Sequence, residues 1–414
     1  MQAILDRILS HLVTQGSLRV TYPDGLTRTY GGQPGPAAAM LLRDQATIRR
    51  LVTNPSLAFG ESYMAGDVQP QDCTIYDVLY VLLGSAEVEG NAHPAMTLRA
   101  QLGWLGRRVA QFNPASRARR NVAHHYDLNG RLYSLLLDRD RQYSCAYFPR
   151  GDETLDEAQA AKKRHIASKL LLTRPGITVL DIGCGWGGMA LTLARDYGAK
   201  VLGITLSTEQ LEAARARASS EGLADQVRFE LRDYRDIDEQ FDRIVSVGMF
   251  EHVGIDHYKT FFQVVRRCLK PDGVALIHAI GRSDGPGSTN PWIQKYIFPG
   301  GYAPALSEVL PAVEKSKLVA TDIEILRMHY AKTLRLWRAN LAARRDAISA
   351  LYDERFCRMF EFYLAGSELA FRLQGHMVWQ LQLSHLNATT VPLTRDYMVE
   401  GERQAAANRV SERA

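Results

Sequence analysis

Little in this sequence belongs to secreted, fibrous or membrane-spanning chains. Its five cysteines, Cys73, Cys145, Cys184, Cys268 and Cys357, are scattered through 414 residues. They form neither a paired framework nor a metal-ligand spacing, so no disulfide scaffold and no metal are expected, and reduced thiols point to the cytoplasm. No apolar run approaches the roughly 20 residues that span a bilayer; the densest lies near Val78–Leu83. The first residues, MQAILDRILSHL, carry charges inside their apolar stretch and lack a small-residue cleavage site, so no signal peptide is expected. An excess of charge of one sign is also lacking: 50 Lys and Arg against 45 Asp and Glu leave +5, which permits an anionic partner without requiring one. With 32 Gly, 16 Pro and no internal repeat, collagen-like and low-complexity chains are excluded. What is present is an ordinary globular balance, 46% apolar and 23% charged, long enough for two domains at about 100–200 residues each.

Residues 1–95 read as a small α+β unit. GSLRVTYPDGLTRTYGG (16–32) alternates around Asp24-Gly25, a hairpin signal. Helical patterning is expected through AAMLLRDQATIRRLVTN, followed by the Gly- and Asp-rich FGESYMAGDVQPQDC. Between 96 and 120 the texture changes: Leu98, Leu102, Leu105 and Val109 share one helical face, and SRARRN concentrates basic charge. This segment reads either as a linker helix with a solvated face or as a membrane-surface element. From Thr173 the pattern is strand–helix–strand, with TVLDIG, KVLGIT, VRFELR, DRIVSV and VALIHAI as short β-branched runs. Such crossovers predict an α/β, doubly wound, largely parallel sheet. Beyond Gly281 a Gly/Pro-rich loop and then long helices are expected. The second domain is placed at 121–400, with a tail at 401–414.

VLDIGCGWGG (179–188) sits where the first of these strands turns into a helix. Gly183, Gly185 and Gly188 satisfy G-x-G-x-x-G, and glycines let the backbone approach a ligand at a helix N-terminus. NAD, FAD and S-adenosylmethionine sites all use such a turn. A dinucleotide site expects a carboxylate about twenty residues on, for the ribose. Here the second strand ends in GITLS (203–207), without one. Asp181, inside the strand before the first glycine, resembles methyltransferase motif I. An S-adenosylmethionine site is therefore the better reading than a nicotinamide site.

HHYDL (124–128), QYSCAYF (142–148), LDIGCGWGG (180–188), GITLSTEQ (203–210), GMFEHVG (248–254), LKPDGVALIHAIG (269–281) and KYIFPGG (295–301) together resemble the cyclopropane-fatty-acyl-phospholipid synthase family. The likeness runs in order over most of 121–400, and FGESYMAGDV (59–68) resembles the auxiliary domain of larger bacterial members. The resemblance implies a Rossmann-like methyltransferase sheet behind a smaller N-terminal α+β domain. It also implies that Tyr143 and Ser144 close over the methionine end of the cofactor, and that Gly183, Gly185 and Gly187 form the turn beneath it. Thr205, Leu206 and Gln210 would line the ribose and adenosine side, with Asp233 and Tyr234 as adenine neighbours.

The implied reaction is methyl transfer to the cis double bond of an acyl chain in a phospholipid, closing a cyclopropane ring. The implied base is a bound bicarbonate, and Cys145, Glu251, His278, Ile280 and Tyr330 match the family's anion pocket. Backbone N–H groups near Cys145 and Ile280, the imidazole and the phenol would donate to the anion. Glu251 would accept from the bicarbonate hydroxyl and from His278. Singly, each has a plainer role: a buried Cys is commonly a small hydrophobe, and His278 a satisfied core histidine. His124-His125 is not read as a metal pair, because no second ligand cluster completes a site. Phe250, Trp292, Tyr296, Phe298 and Tyr302 could face a cation on the chain, Tyr302 foremost, although packing is the simpler role for each.

The resemblance further implies an unsaturated phospholipid partner met at the inner membrane surface, and a homodimer. Arg107-Arg108, Arg117–Arg120 and Arg344-Arg345 are candidate headgroup contacts. No nucleic-acid partner is expected, since no aromatic-interleaved basic motif is seen. Competing readings are a sister lipid C-methyltransferase leaving a methyl or methylene branch, a small-molecule N-methyltransferase, and a non-catalytic lipid-binding protein.

Overall fold

The structure, a computed structural model, describes residues 1–88 and 130–411. The expected 96–120 helix with its arginine clusters, and the HHYDL motif, lie outside the described residues. The described residues fall into two compact units: one holds 1–88, 287–299 and 334–375, the other 130–286, 300–333 and 376–411.

In the first unit β1 (Gln15–Thr21), β2 (Thr27–Gly31), β3 (Gln33–Leu42) and β4 (Val68–Pro70) form a sheet in the order β2-β1-β3-β4. β1 and β2 are the expected antiparallel hairpin; Gly25 takes φ +83°, and Asp24 Oδ1 accepts from the Leu26 N–H at 3.0 Å. The helix expected from Ala38 begins later. Ala37–Leu41 pairs parallel to β1, and the helix Gln45–Thr53 starts at Asp44, whose side chain accepts from the Thr47 N–H at 2.7 Å. The cap fixes the boundary, and the apolar run ahead of it is buried as strand. FGESYMAGDV ends a helix, Pro55–Ala65, that stops at a left-handed Gly66. Leu18, Val20, Met40, Ile48 and Val78 make this core together with Ala365 and Leu369 from the helix Glu354–Leu373. The same helix buries Glu368 completely, held by Arg338 at 3.1 Å and Arg372 at 2.8 Å.

The second unit is built on β5 (Thr178–Ile182), β6 (Lys200–Thr205), β7 (Val227–Leu231), β8 (Phe241–Val247), β9 (Leu269–Arg282), β10 (Leu318–Ile325) and β11 (His376–His385). Their order is β10-β11-β9-β8-β5-β6-β7. The five strands read from the sequence are all present and parallel. The chain winds outward from β5 to β7 and returns to β8 beside β5. That reversal opens a crevice at the carboxyl ends of the strands, where ligands bind in such sheets.

The long-helix expectation beyond Gly281 is corrected by β10 and β11, an antiparallel pair completing the sheet. β11 escapes a simple pattern because it is buried on both faces with polar residues in place: Gln380 Oε1 accepts from Lys169 at 2.9 Å, and Gln382 donates to the Lys169 carbonyl at 2.6 Å. Trp379 of β11 is fully buried, its ring 5.6 Å from Phe250. A Cβ on Gly281 would come within 2.4 Å of the indole nitrogen. Trp379→Ala is expected to destabilise this unit by about 3–5 kcal/mol, read as a lowered urea midpoint for loss of sheet circular dichroism.

Candidate active site

After β5 the chain turns through Gly183 (φ +80°), Gly185 (+54°) and Gly187 (+83°) into the helix Gly188–Tyr197. The glycines answer different needs. A Cβ at Gly183 would lie 2.8 Å from Met249 Cβ, and one at Gly187 would lie 2.8 Å from the Phe229 ring. At Gly185 nothing stands within 4 Å, so backbone is bared to a cleft. That cleft encloses ≈ 1200 Å³ of non-protein space, partly open to solvent. Tyr143, Ser144, Asp181, Gly183, Gly185, Thr205, Leu206, Gln210, Asp233 and Tyr234 all line it. Gly187 does not; it faces Phe229 and Ala214.

Each wall is held from behind. Ser207 caps the helix Thr208–Ser220, placing Gln210, whose Oε1 accepts from the Thr205 hydroxyl at 2.9 Å. Asp233 accepts from Arg235 Nε at 2.8 Å and Nη2 at 2.6 Å, and Tyr234 packs edge-on against Phe261 at 5.3 Å. Tyr143 packs edge-on against Tyr133 at 5.4 Å. Lys162 donates to Gln142 Oε1 at 2.6 Å and Ser144 Oγ at 2.8 Å, fixing the strip that carries Tyr143. Asp181 is buried with Oδ2 unpartnered, and burial pushes its carboxyl up to about 7. Gln142, Trp186, Met249 and His252 also line the cleft. They stand inside the motifs quoted above, where only neighbours drew notice.

Cys145, Glu251, His278, Ile280 and Tyr330 do not line this cleft, and the first four lie one step behind it. Ser144 precedes Cys145, Met249 and His252 flank Glu251, and Gly248 donates its N–H to the His278 carbonyl at 2.9 Å. Cys145, His278 and Tyr330 are buried. The Glu251 residue is half-buried, yet its Oε2 is sealed from solvent without a partner, and burial raises the carboxyl to about 7. Two expected contacts differ. The Ile280 N–H donates to Glu251 Oε1 at 2.6 Å, and His278 meets Gln380, not Glu251.

Gln380 sets the imidazole. Its Oε1 is taken by Lys169, so its amide nitrogen faces His278 Nδ1, at 3.2 Å. Nδ1 then accepts and the ring proton sits on Nε2. Burial together with the charges of Lys162 and Lys169 drives the imidazole down to about 3, keeping it neutral. Burial raises the Cys145 thiol far above its ordinary value. It is no thiolate nucleophile. Among the described residues no group of His, Cys, Asp or Glu could hold a metal ion.

The aromatic residues near the glycine-rich loop separate. Trp292 packs on Phe362 at 4.7 Å, Phe298 on Tyr363 at 5.7 Å, and Tyr296 donates to Glu61, all in the first unit. Phe250 and Tyr302 belong to the second. Phe250 is core, and the Tyr302 hydroxyl donates to Glu308 at 2.7 Å. Arg345 is engaged by Glu354 at 2.7 Å and Glu361 at 2.9 Å.

Residues 114–381 match the mycolic acid cyclopropane synthetase family, and 4–87 match a domain of unknown function, DUF7884. The cyclopropane-fatty-acyl-phospholipid synthase of Escherichia coli (strain K12) is 42% identical over 338 residues, covering 81% of this chain and 85% of that protein. Tuberculostearic acid methyltransferase UfaA1 of Mycobacterium tuberculosis is 37% identical over 388 residues, 89% of this chain and 88% of the relative. The solved cyclopropane synthase MmaA2 from Mycobacterium tuberculosis superposes with a TM-score of 0.61 at 35% identity, covering 66% of this chain and 99% of that one. Coclaurine N-methyltransferase, at 19% identity and a TM-score of 0.64, shares the fold alone, over 79% of this chain and 98% of its own. Sequence and architecture agree: the chain belongs to the mycolic acid cyclopropane synthetase family and is an S-adenosylmethionine-dependent methyltransferase of Rossmann-like fold with an added N-terminal α+β unit.

Proposed function

We propose that the chain methylates the cis double bond of an unsaturated acyl chain in a phospholipid and closes a cyclopropane ring. The reading rests on one observation: a sealed, unpartnered Glu251 Oε2 and a neutral His278 lie one residue or one hydrogen bond from a cleft floored by Gly185. When bound, S-adenosylmethionine supplies a methyl group on a sulfonium. The cleft fits it through the bared Gly185 turn and the unpartnered Asp181 Oδ2. Tyr143, Ser144, Thr205, Leu206, Gln210, Asp233 and Tyr234 would hold it.

An alkene has no proton to lose before it accepts a methyl group. The proton departs afterwards, from the new methyl, so the site must provide a base and tolerate a cation on the chain. A bicarbonate would provide that base, and the groups present suit a small anion bearing one proton. Glu251 Oε2 would accept its hydroxyl, while His278 Nε2–H and the Tyr330 hydroxyl donate to its other oxygens. Ile280 N–H would be shared with Glu251, and Cys145 closes the wall. Methylating an amine lone pair requires none of this. The lipid substrate is supported by the likeness to the Escherichia coli synthase. The likeness to UfaA1 supports a second outcome, a methyl or methylene branch, because the product depends on which proton leaves. Such a substrate would bring the enzyme to a membrane surface, working as a homodimer. No helix among the described residues is long and apolar enough to cross a membrane.

Incubation with methyl-labelled S-adenosylmethionine and dioleoyl phosphatidylglycerol vesicles is expected to place label in lipid. Mass spectrometry after hydrogenation should show a ring, which gentle hydrogenation spares and a methylene branch does not survive. Label confined to a water-soluble amine would overturn the reading. Glu251→Gln and Cys145→Ser are each expected to lower turnover by at least about 100-fold, with affinity for S-adenosylhomocysteine nearly unchanged in calorimetry. Glu251→Gln should also alter stability. Because burial raises this carboxyl from 4.5 to about 7, the folded protein keeps a proton that the unfolded chain releases. That contribution is complete below about pH 4.5 and is lost as pH rises through about 7. The variant should therefore melt at or above the wild-type temperature near about pH 8, with a shallower decline between those values.

A further inference from the structure

The helix Leu155–Lys169 buries four basic side chains: Lys162, Lys163, His165 and Lys169. Three of them meet carboxylates. Lys163 pairs with Asp140, Lys169 with Glu324, and His165 lies between Glu324 and Glu402. Lys162 is different. It is fully buried, and its two hydrogen-bond acceptors, Gln142 Oε1 and Ser144 Oγ, are neutral. Asp138 and Asp140 act on it through space, but Asp138 accepts from the Gln142 N–H at 2.7 Å and the Asp140 N–H at 3.1 Å, and Asp140 is shared by Lys163 and Arg217. A buried ammonium on neutral partners is costly unless negative charge comes near. Both acceptors line the cleft, and Ser144 adjoins Cys145.

We infer that Lys162 is a positioning residue for the anion: it fixes the Gln142–Cys145 strip and supplies the positive charge that draws a small anion into the Cys145–Glu251–His278 group. This deepens the reading of that group given above and rests on it. The charge of Lys162 is felt by Cys145, Asp181 and His278, and its hydrogen bond ties it to Ser144, the cleft residue that adjoins Cys145. Without it, an anion beside Glu251 would meet a carboxyl whose proton is kept by burial, with no ammonium on the Gln142–Cys145 strip to balance the charge. With it, anion and ammonium compensate each other while Ser144 keeps its place at the cofactor wall.

The test compares the full-length wild type with Lys162→Gln and Lys162→Arg, in carbon dioxide-depleted buffer at constant ionic strength, with bicarbonate exchanged for chloride. Melting temperature, methyl transfer to dioleoyl phosphatidylglycerol vesicles and quenching of tryptophan fluorescence by S-adenosylhomocysteine are read in parallel. Lys162→Gln should abolish the bicarbonate-dependent rise in melting temperature and raise the half-saturating bicarbonate concentration at least about tenfold. Because a Gln amide can still donate on this strip, affinity for S-adenosylhomocysteine should fall by clearly less than the bicarbonate response, and Lys162→Arg should recover most of that response. Lys162→Met, which keeps the side-chain volume, gives the comparison independently of the Gln variant. Unchanged bicarbonate response in the Gln and Met variants would overturn the inference, as would an equal loss of cofactor affinity. A wild type indifferent to bicarbonate would remove the anion reading and this inference with it, while label in lipid would still stand.

Discussion

Helix Leu155–Lys169 carries basic side chains into an interior where water cannot solvate them, so each must be matched by protein groups. The matching ties the sheet-bearing unit together. Lys163 and Arg217 converge on Asp140, and Arg217 also donates to the Trp186 carbonyl at 2.9 Å, so one cluster joins the Asp140 loop to the cleft's glycine turn. His165 links Glu324 of β10 to Glu402 of the helix Asp396–Ser411 while stacking on Tyr147 at 4.2 Å. Lys169 spans Glu324 and Gln380, and through Gln380 it decides which nitrogen of His278 bears the proton. The tautomer of one imidazole thus depends on an ammonium two residues removed along a chain of hydrogen bonds.

Against this background of matched charge, Asp181 and Glu251 stand out. Each is a carboxyl with an unpartnered oxygen, and each is raised to about 7 by burial. A fold selected for stability alone would pair such groups or replace them with apolar residues. Perturbed acids gathered beside a cleft are the ordinary sign of a working site. Their position, at the ends of β5 and just beyond β8, follows from the winding reversal that opens the crevice.

Much of this arrangement is legible in the sequence, and the reasons differ by element. β5 through β9 announce themselves by short β-branched runs separated by helical spacing, or by a short loop between β7 and β8, and the Gly183–Gly187 turn by punctuation that few other structures need. The acid group emerges because Cys145, Glu251 and His278 each sit inside a motif resembling one family. β11 is hidden because its interior Gln380 and Gln382 look like surface residues until Lys169 is seen to satisfy them. Lys162 is hidden for the same reason: a lysine on a helix reads as solvated, and only tertiary context buries it. Ala38–Leu41 illustrates the opposite failure, a helix-favouring apolar run claimed by strand pairing with β1. Trp292 and Tyr302 are neighbours in sequence yet belong to different units, a separation that no local pattern encodes.

The interleaving of the two units has a further consequence for how the chain reaches its native state. The core around Leu18, Val20 and Met40 is incomplete until Ala365 and Leu369 join it, and Tyr63 finds its acceptor, Glu361, 298 residues later at 2.8 Å. Contacts of such separation are slow to form, because loop-closure entropy precedes their reward. During synthesis the amino-terminal segment is therefore made first but finished late, after the parallel strands of the other unit have left the ribosome. Neither core closes early: the first waits for Ala365 and Leu369, and the sheet of the second waits for β11, His376–His385. The unit whose strands are made first therefore keeps an unfinished core until the helix Glu354–Leu373 arrives.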